Sequence, residues 1–237
     1  MSFSSEWNTA YDNGQRMSIS GIPSVLSSLL INFIGSLKGQ RVLEFGCGTG
    51  NNARFIVEEG GEYFGIDGSE SAIKFAMEKN PKSTFACCDF TEGHPFGDDF
   101  DLVIDRASIS HNDTDGIKRA ISLIWQSLKP GGLFVSADWF SDNHSESGRG
   151  EFVDERTRTG YTDGQFVAVG RVHFSNEQEL AGLFSMFDRG ALVERITRYL
   201  QGGLFFKDRI SYPWISKDFD WKEYSSAVFD IVVRKTI

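Results

Sequence analysis

The chain has 237 residues, 40% hydrophobic and 24% charged, enough apolar material for one large globular domain without staples. Its formal net charge is −9, with 24 Lys and Arg against 33 Asp and Glu. With no long Lys/Arg cluster, that balance argues against nucleic acid or an anionic membrane as a partner. The three cysteines, Cys47, Cys87 and Cys88, are odd in number and have no CxxC or Cys/His spacing. A disulfide framework and a structural zinc site are therefore disfavoured, and reduced, mostly buried thiols in a cytoplasm are expected. The N-terminal "MSFSSEWNTAYDNG" lacks a basic segment followed by an apolar one, so no signal peptide is expected.

In chain order, "IPSVLSSLLINFIGSL" carries Ile22, Val25, Leu26, Leu29, Leu30, Phe33, Ile34 and Leu37 at helical spacing. That predicts an amphipathic helix within an N-terminal helical cap, residues 1–38. Its serines and asparagine make it too polar to span a membrane, and its polar face lacks the Lys and Arg of a membrane-surface helix. An alternation follows. "RVLEFG" is a predicted strand, "NNARFIVEEG" a helix, "EYFGID" a strand and "SESAIKFAMEKN" a helix stopped before Pro81. "STFACCDF" and "FDLVID" are strands, "DGIKRAISLIWQSL" is a helix, and "LFVSADWF" is a strand. This order predicts an α/β fold with a parallel sheet and helices on both faces.

Residues 141–174 break the rhythm. "SDNHSESGRGEFVDERTRTG" is polar and aperiodic, and "QFVAVGRVHF" is strand-like. Such a segment reads as a substrate lid inserted into one domain spanning 1–237, or as a plain surface insertion. "SNEQELAGLFSMF" predicts a helix with a capping box at Ser175 and Gln178, and "ALVERITRYL" and "YSSAVFDIVVRK" predict two final strands.

"VLEFGCGTGNN", residues 42–52, is a strand feeding a glycine-spaced turn and a helix. Such a turn offers backbone amides and lets a ligand lie against the main chain. The dinucleotide signature GxGxxG requires a third glycine where Asn51 stands, and the pattern is instead GxGxG preceded by Glu44. Asp67 ends the next strand, where a carboxylate accepts ribose hydroxyls or sits at a helix N-terminus. Asp89 ends the third, suited to an adenine amino group with Phe90 against the ring, or to a solvated loop. The three features converge on the carboxyl edge of the sheet, where open α/β folds bind ligands.

With "VLEFGCGTG", "GIDGSESAIKFA", "HPFGDDFDLVI" and "LKPGGLFVSAD" in order over about residues 41–138, the chain resembles the class I S-adenosylmethionine-dependent methyltransferases, close to the type 11 small-molecule group. The resemblance implies a Rossmann-like fold with a seven-stranded, mostly parallel sheet whose last strand is antiparallel. It implies S-adenosylmethionine as cofactor and S-adenosylhomocysteine as product. It implies that Gly46, Cys47 and Gly48 hold the methionine part, with Glu44 ordering the loop or lying near the cofactor amine through water. It further implies Asp67, Gly68 and Ser69 beside the ribose, Asp89 and Phe90 at the adenine, Asp105 and Arg106 near the sulfonium, and His111 toward the acceptor. Tyr11 and Arg16 would close over the cofactor from the N-terminal helix, Arg16 as a bidentate clamp on a carboxylate.

The implied reaction is direct displacement onto a small-molecule acceptor, with His111 as base when the acceptor must lose a proton. His144 and His173 could also reach the acceptor, Trp139 and Phe140 could wall its pocket, and Trp214 and Trp221 pack near the C-terminus. "DRAS" stands where nucleic-acid methyltransferases of this class carry NPPY or DPPY. A cytoplasmic monomer or homodimer is expected. The rival readings are a non-catalytic cofactor-binding module and an NAD(P)-dependent oxidoreductase.

Overall fold

The computed structural model describes residues 5–13, 24–167, 169–198 and 225–236. Arg16, Trp214 and Trp221 lie outside them.

A seven-stranded sheet forms from β1 (Arg41–Phe45), β2 (Glu62–Asp67), β3 (Thr84–Cys87), β4 (Phe100–Arg106), β5 (Leu128–Phe140), β9 (Phe187–Arg198) and β10 (Ser225–Lys235). Their order is β3-β2-β1-β4-β5-β10-β9. β1 to β5 pair in parallel, whereas β10 runs antiparallel to both β5 and β9. The expected parallel sheet with an antiparallel last strand is therefore observed.

Strand residues alternate between two cores, as a period of two requires. Leu43, Val103, Phe134 and Ile231 join α5 (Thr114–Ser127) and α6 (Glu177–Leu183) in one. Val42, Leu102, Ile104, Val135 and Val232 join α2 (Ser24–Ile34), α3 (Ala53–Glu58) and α4 (Glu70–Lys79) in the other. In α2 only part of the expected apolar face is covered: Leu26 and Leu30 are buried, but Phe33 is exposed, as is Ile31 outside that face. β9 is a sheet edge and exposes Leu192, Val193 and Ile196.

The segment after β5 is more ordered than its composition predicts. β6 (Glu151–Phe152), β7 (Thr157–Thr159) and β8 (Val172–His173) form a separate three-stranded antiparallel sheet. Of "QFVAVGRVHF" only Val172 and His173 are strand, forming β8, while residues 165–167 form a turn. A third core of Phe140, Phe166, Val169, Val172, Phe174 and Val228 ties this segment to the main sheet. The α6 cap is Asn176, whose side chain accepts from the Glu179 amide at 3.0 Å, not Ser175. Ser175 instead accepts from the Trp139 indole at 3.0 Å. Among the described residues no helix is long and apolar enough to cross a membrane.

Candidate active site

After β1 the chain turns through Gly46, Gly48 and Gly50, all left-handed at φ +66°, +52° and +71°. A Cβ at Gly46 would lie 1.5 Å from Ser108 Oγ, and one at Gly48 would lie 2.8 Å from the Tyr11 hydroxyl. The loop is thus packed between the turn after β4 and α1 (Ser5–Asp12), where only glycine fits. Glu44 supports it from beneath. Its carboxyl accepts from Asn52 Nδ2 at 2.6 Å and from the Tyr63 hydroxyl. Burial raises the Glu44 pKa to about 7, and these two hydrogen bonds only partly oppose the rise. Asp67 braces the loop from β2: Oδ2 accepts from the Gly48 amide at 2.9 Å and Oδ1 from the Ser69 amide at 2.8 Å.

A cavity of about 380 Å³ runs from this loop across the carboxyl ends of β4 and β5 to β9 and β10. Gly46, Cys47, Gly48, Asp67, Gly68 and Phe90 line its first end, and Trp7 and Tyr11 project into it from α1. α1 is held over the site by a hydrogen bond from Ser69 Oγ to Asn8 Oδ1 at 3.0 Å, and by one from Ser71 to Asp12.

Phe140, Phe166, Val169 and His111 line the middle. His111 ends a 3-10 turn (Ile109–His111), and its Nδ1 lies 2.7 Å from the Arg171 carbonyl oxygen. A carbonyl only accepts, so Nδ1 carries the proton and the neutral ring has its lone pair on Nε2. The ring makes edge contacts with Trp7 and Phe140 at centroid distances of 5.0 and 5.4 Å.

The far end is polar. Asp138 accepts from Arg106 Nε at 3.0 Å and from Arg195 Nη2 at 2.6 Å, and Arg195 also binds both oxygens of Asp230. Asp138 sits at φ +62° and Ala107 at φ +50°, side by side at the ends of β5 and β4. Opposite Asp138 the β5–β10 register slips at Asp230, a bulge that re-aims the strand end.

Of the residues singled out from sequence, Glu44, Gly46, Cys47, Gly48, Asp67, Gly68, Phe90, Arg106, Tyr11, His111 and Phe140 line this cavity. Ser69, Asp89 and Asp105 do not. Ser69 is fully buried as the cap of α4, accepting from the Ala72 amide. Asp89 Oδ1 accepts from the Thr91 amide and hydroxyl at 2.9 and 2.7 Å. Asp105 is fully buried, accepting from Ser136 Oγ and the Ser108 and Ile109 amides, which shapes the turn carrying His111. Burial lifts the Asp105 carboxyl to about 6. His144 is buried against Phe140, Phe166 and Phe174, and burial lowers its pKa to about 4. His173 is buried between Thr157 and Glu179, and Trp139 is a core side chain. Cys87 is exposed, contrary to the expectation of buried thiols.

Trp7, Asp138, Arg195, Thr197, Ser226 and Val228 also line the cavity, and sequence pattern did not single them out. The signal for Arg195 and Thr197 was their spacing about Ile196, which puts both on one face of the strand.

Residues 42–132 match the model of a methyltransferase domain family. An uncharacterized methyltransferase of Geobacillus kaustophilus is 32% identical over 178 residues, covering 74% of this chain and 78% of that protein. A human tRNA N(3)-cytidine methyltransferase is 28% identical over 185 residues, 71% of this chain and 47% of the relative. The chain spans about half the length of several curated relatives that it matches. Among solved structures, the Burkholderia thailandensis 1,6-didemethyltoxoflavin-N1-methyltransferase, with its acceptor and S-adenosylhomocysteine bound, superposes with a TM-score of 0.65 at 17% identity, covering 98% of this chain and 87% of that one. Its strand order, its glycine turn and its extensive likeness to the Geobacillus protein agree: the chain belongs to the class I S-adenosylmethionine-dependent methyltransferase family.

Proposed function

We propose that the chain transfers a methyl group from S-adenosylmethionine to a small-molecule acceptor. The observation that carries the reading is one continuous cavity joining the glycine turn to a separate aromatic and polar end, so two reactants would share it end to end. The residues at the first end fit the cofactor. The turn at Gly46 and Gly48 brings main chain to the cavity wall, Asp67 supplies carboxylate oxygens with lone pairs remaining for ribose hydroxyls, and Phe90 supplies a ring face. The backbone at Gly46, Cys47 and Gly48 would hold the methionine portion. When bound, the cofactor's sulfonium supplies an electrophilic methyl group.

The chain's own work is then positioning and exclusion of water. Trp7 and Tyr11 cover the cofactor end, and Phe140, Phe166 and Val169 wall the middle. His111 Nε2 would take the acceptor's proton, with the Arg171 carbonyl holding the tautomer. The segment 141–174, which supplies Phe166 and Val169, would act as the substrate-binding insertion. The Burkholderia methyltransferase, with 1,6-didemethyltoxoflavin bound, supports this acceptor class.

The human relative favours a second reading, tRNA as acceptor. A net charge of −9 opposes it.

Titration with S-adenosylhomocysteine tests the proposal. Binding should be saturable and should weaken by about 1–3 kcal/mol in Asp67→Ala, because the ribose hydroxyls lose a buried partner. Unchanged affinity in a folded variant removes Asp67 from the site. A labelled-methyl assay offering tRNA beside low-molecular-weight metabolite fractions should put label only in the latter.

A further inference from the structure

The far end of the cavity has a surplus of hydrogen-bond donors. Every carboxylate oxygen there is engaged: Asp138 by Arg106 and Arg195, and Asp230 by Arg195 and the Asp138 amide. The donors are not exhausted. Arg106 uses only Nε, and Arg195 uses Nε and Nη2. Both Nη groups of Arg106, Nη1 of Arg195, and the hydroxyls of Thr197 and Ser226 have no partner among the described residues. These groups share one surface. Arg195 and Thr197 are two apart on β9, hence on the same face, and Thr197 pairs directly with Ser226 on β10. The two carboxylates stand behind the guanidiniums and fix their orientation. Asp138 is held there at φ +62°, the kind of strain that persists where a site requires it.

A ligand complementary to this end brings acceptor atoms, because the guanidinium Nη groups are donors without a partner among the described residues, whereas each carboxylate oxygen already accepts at least one hydrogen bond. Guanidinium forks match a planar carboxylate geometrically. The wall beside them is apolar and aromatic, built from Phe140, Phe166 and Val228. We infer that the methyl acceptor is a planar aromatic or heteroaromatic carboxylate, its carboxylate held by Arg106, Arg195, Thr197 and Ser226 and its ring against Phe140 and Phe166. This rests on the reading that the glycine-turn end holds the cofactor.

The test is calorimetric titration of the S-adenosylhomocysteine-saturated protein with benzoate, benzamide and benzylamine. Benzoate should bind at least about tenfold more tightly than benzamide, and benzylamine least of the three. Arg195→Lys retains the charge beside Asp230 and loses the fork, and Thr197→Val keeps the shape and loses the hydroxyl. Each should weaken benzoate by roughly three- to tenfold with S-adenosylhomocysteine affinity and melting temperature retained. In Arg106→Met, which leaves Asp138 paired with Arg195, benzoate should lose more affinity than S-adenosylhomocysteine does. Equal binding of benzoate and benzamide, absence of saturable benzoate binding at millimolar concentrations, or parent-like benzoate affinity in Thr197→Val and Arg195→Lys would overturn the inference. So would a larger loss of S-adenosylhomocysteine than of benzoate in Arg106→Met, because Arg106 would then serve the cofactor. A parent protein that binds no S-adenosylhomocysteine defeats the cofactor reading instead, and benzoate titration of the ligand-free protein then still decides the carboxylate site.

Discussion

Glu44 stands between the sheet and the glycine turn, with both oxygens committed to Asn52 and Tyr63. Burial raises its pKa from 4.5 to about 7, so the folded state takes up a proton that the unfolded chain releases. Its contribution is fully present below about 4.5 and is lost as pH rises through about 7. Asp105, raised from 3.8 to about 6, acts in the same direction over a lower range. Melting temperature should therefore rise as buffer is taken from about pH 8 to about pH 5, and Glu44→Gln should flatten that rise, by on the order of 3 kcal/mol across the window. Scanning calorimetry across pH on both proteins checks it. His111 yields a different signature. If Nε2 removes the acceptor's proton, His111→Ala should lower kcat by roughly 10²–10⁴-fold with S-adenosylhomocysteine affinity nearly intact. A raised KM at parent kcat would make it a positioning group, and a lost melting temperature without a selective catalytic defect would make it a packing one. Residues of this kind were only partly legible in the sequence. Asp67 and Asp105 are both acids at strand ends, yet Asp67 lines the cavity while Asp105 folds back under its own turn onto the Ser108 and Ile109 amides. The left-handed turn at Ala107 accompanies that difference, and no residue type at 107 announces it.

At the scale of elements, the strands and helices of residues 41–140 follow from alternation and periodicity, because each strand serves two cores and each helix one. The segment 141–174 does not, because its order comes from long-range contacts. Asp154 is the clearest case. Its carboxylate accepts from the amides of Thr114, Arg156 and Thr157 at 2.8, 2.9 and 2.7 Å, which fastens the β6–β7 turn to the first turn of α5. Burial works against ionisation there, but the hydrogen bonds led by the Thr114 amide outweigh it and hold the carboxyl well below its ordinary range. Its stabilisation is present above about pH 3.8 and is lost as pH falls further. Asp154→Ala should cost about 1–3 kcal/mol at neutral pH, read as a lower urea midpoint, and the difference from the parent should shrink in acid. A neutral substitution would mean that the small sheet is held by its apolar core alone.

Across the whole molecule, the cavity draws on distant parts of the chain: α1, the β1 turn, the ends of β4 and β5, the segment between β7 and β8, and the last two strands. The end proposed for the cofactor is built largely from the motifs between Glu44 and Phe90, so pattern alone exposes it. The end proposed for the acceptor joins Arg106, Phe166 and Arg195, residues that only the tertiary fold brings together. Arg195 and Thr197 lie on a sheet-edge strand beside the exposed Val193 and Ile196, so the local pattern does not mark their face as a cavity wall.

The paired left-handed residues at the ends of β4 and β5 carry an evolutionary implication. Ala107 at φ +50° and Asp138 at φ +62° are conformations in which a side chain is costly, on the order of 1–3 kcal/mol each. Ala107→Gly should accordingly raise the melting temperature slightly, and Asp138→Gly would relax the same strain while leaving Arg106 and Arg195 without their shared carboxylate. Selection for thermal robustness alone would thus drift toward glycine at both positions and arrive at a hardier protein with Arg106 and Arg195 no longer oriented in the cavity. A library screened first for heat survival and then for turnover would reveal the trade: Ala107→Gly should pass both screens, and Asp138→Gly only the first.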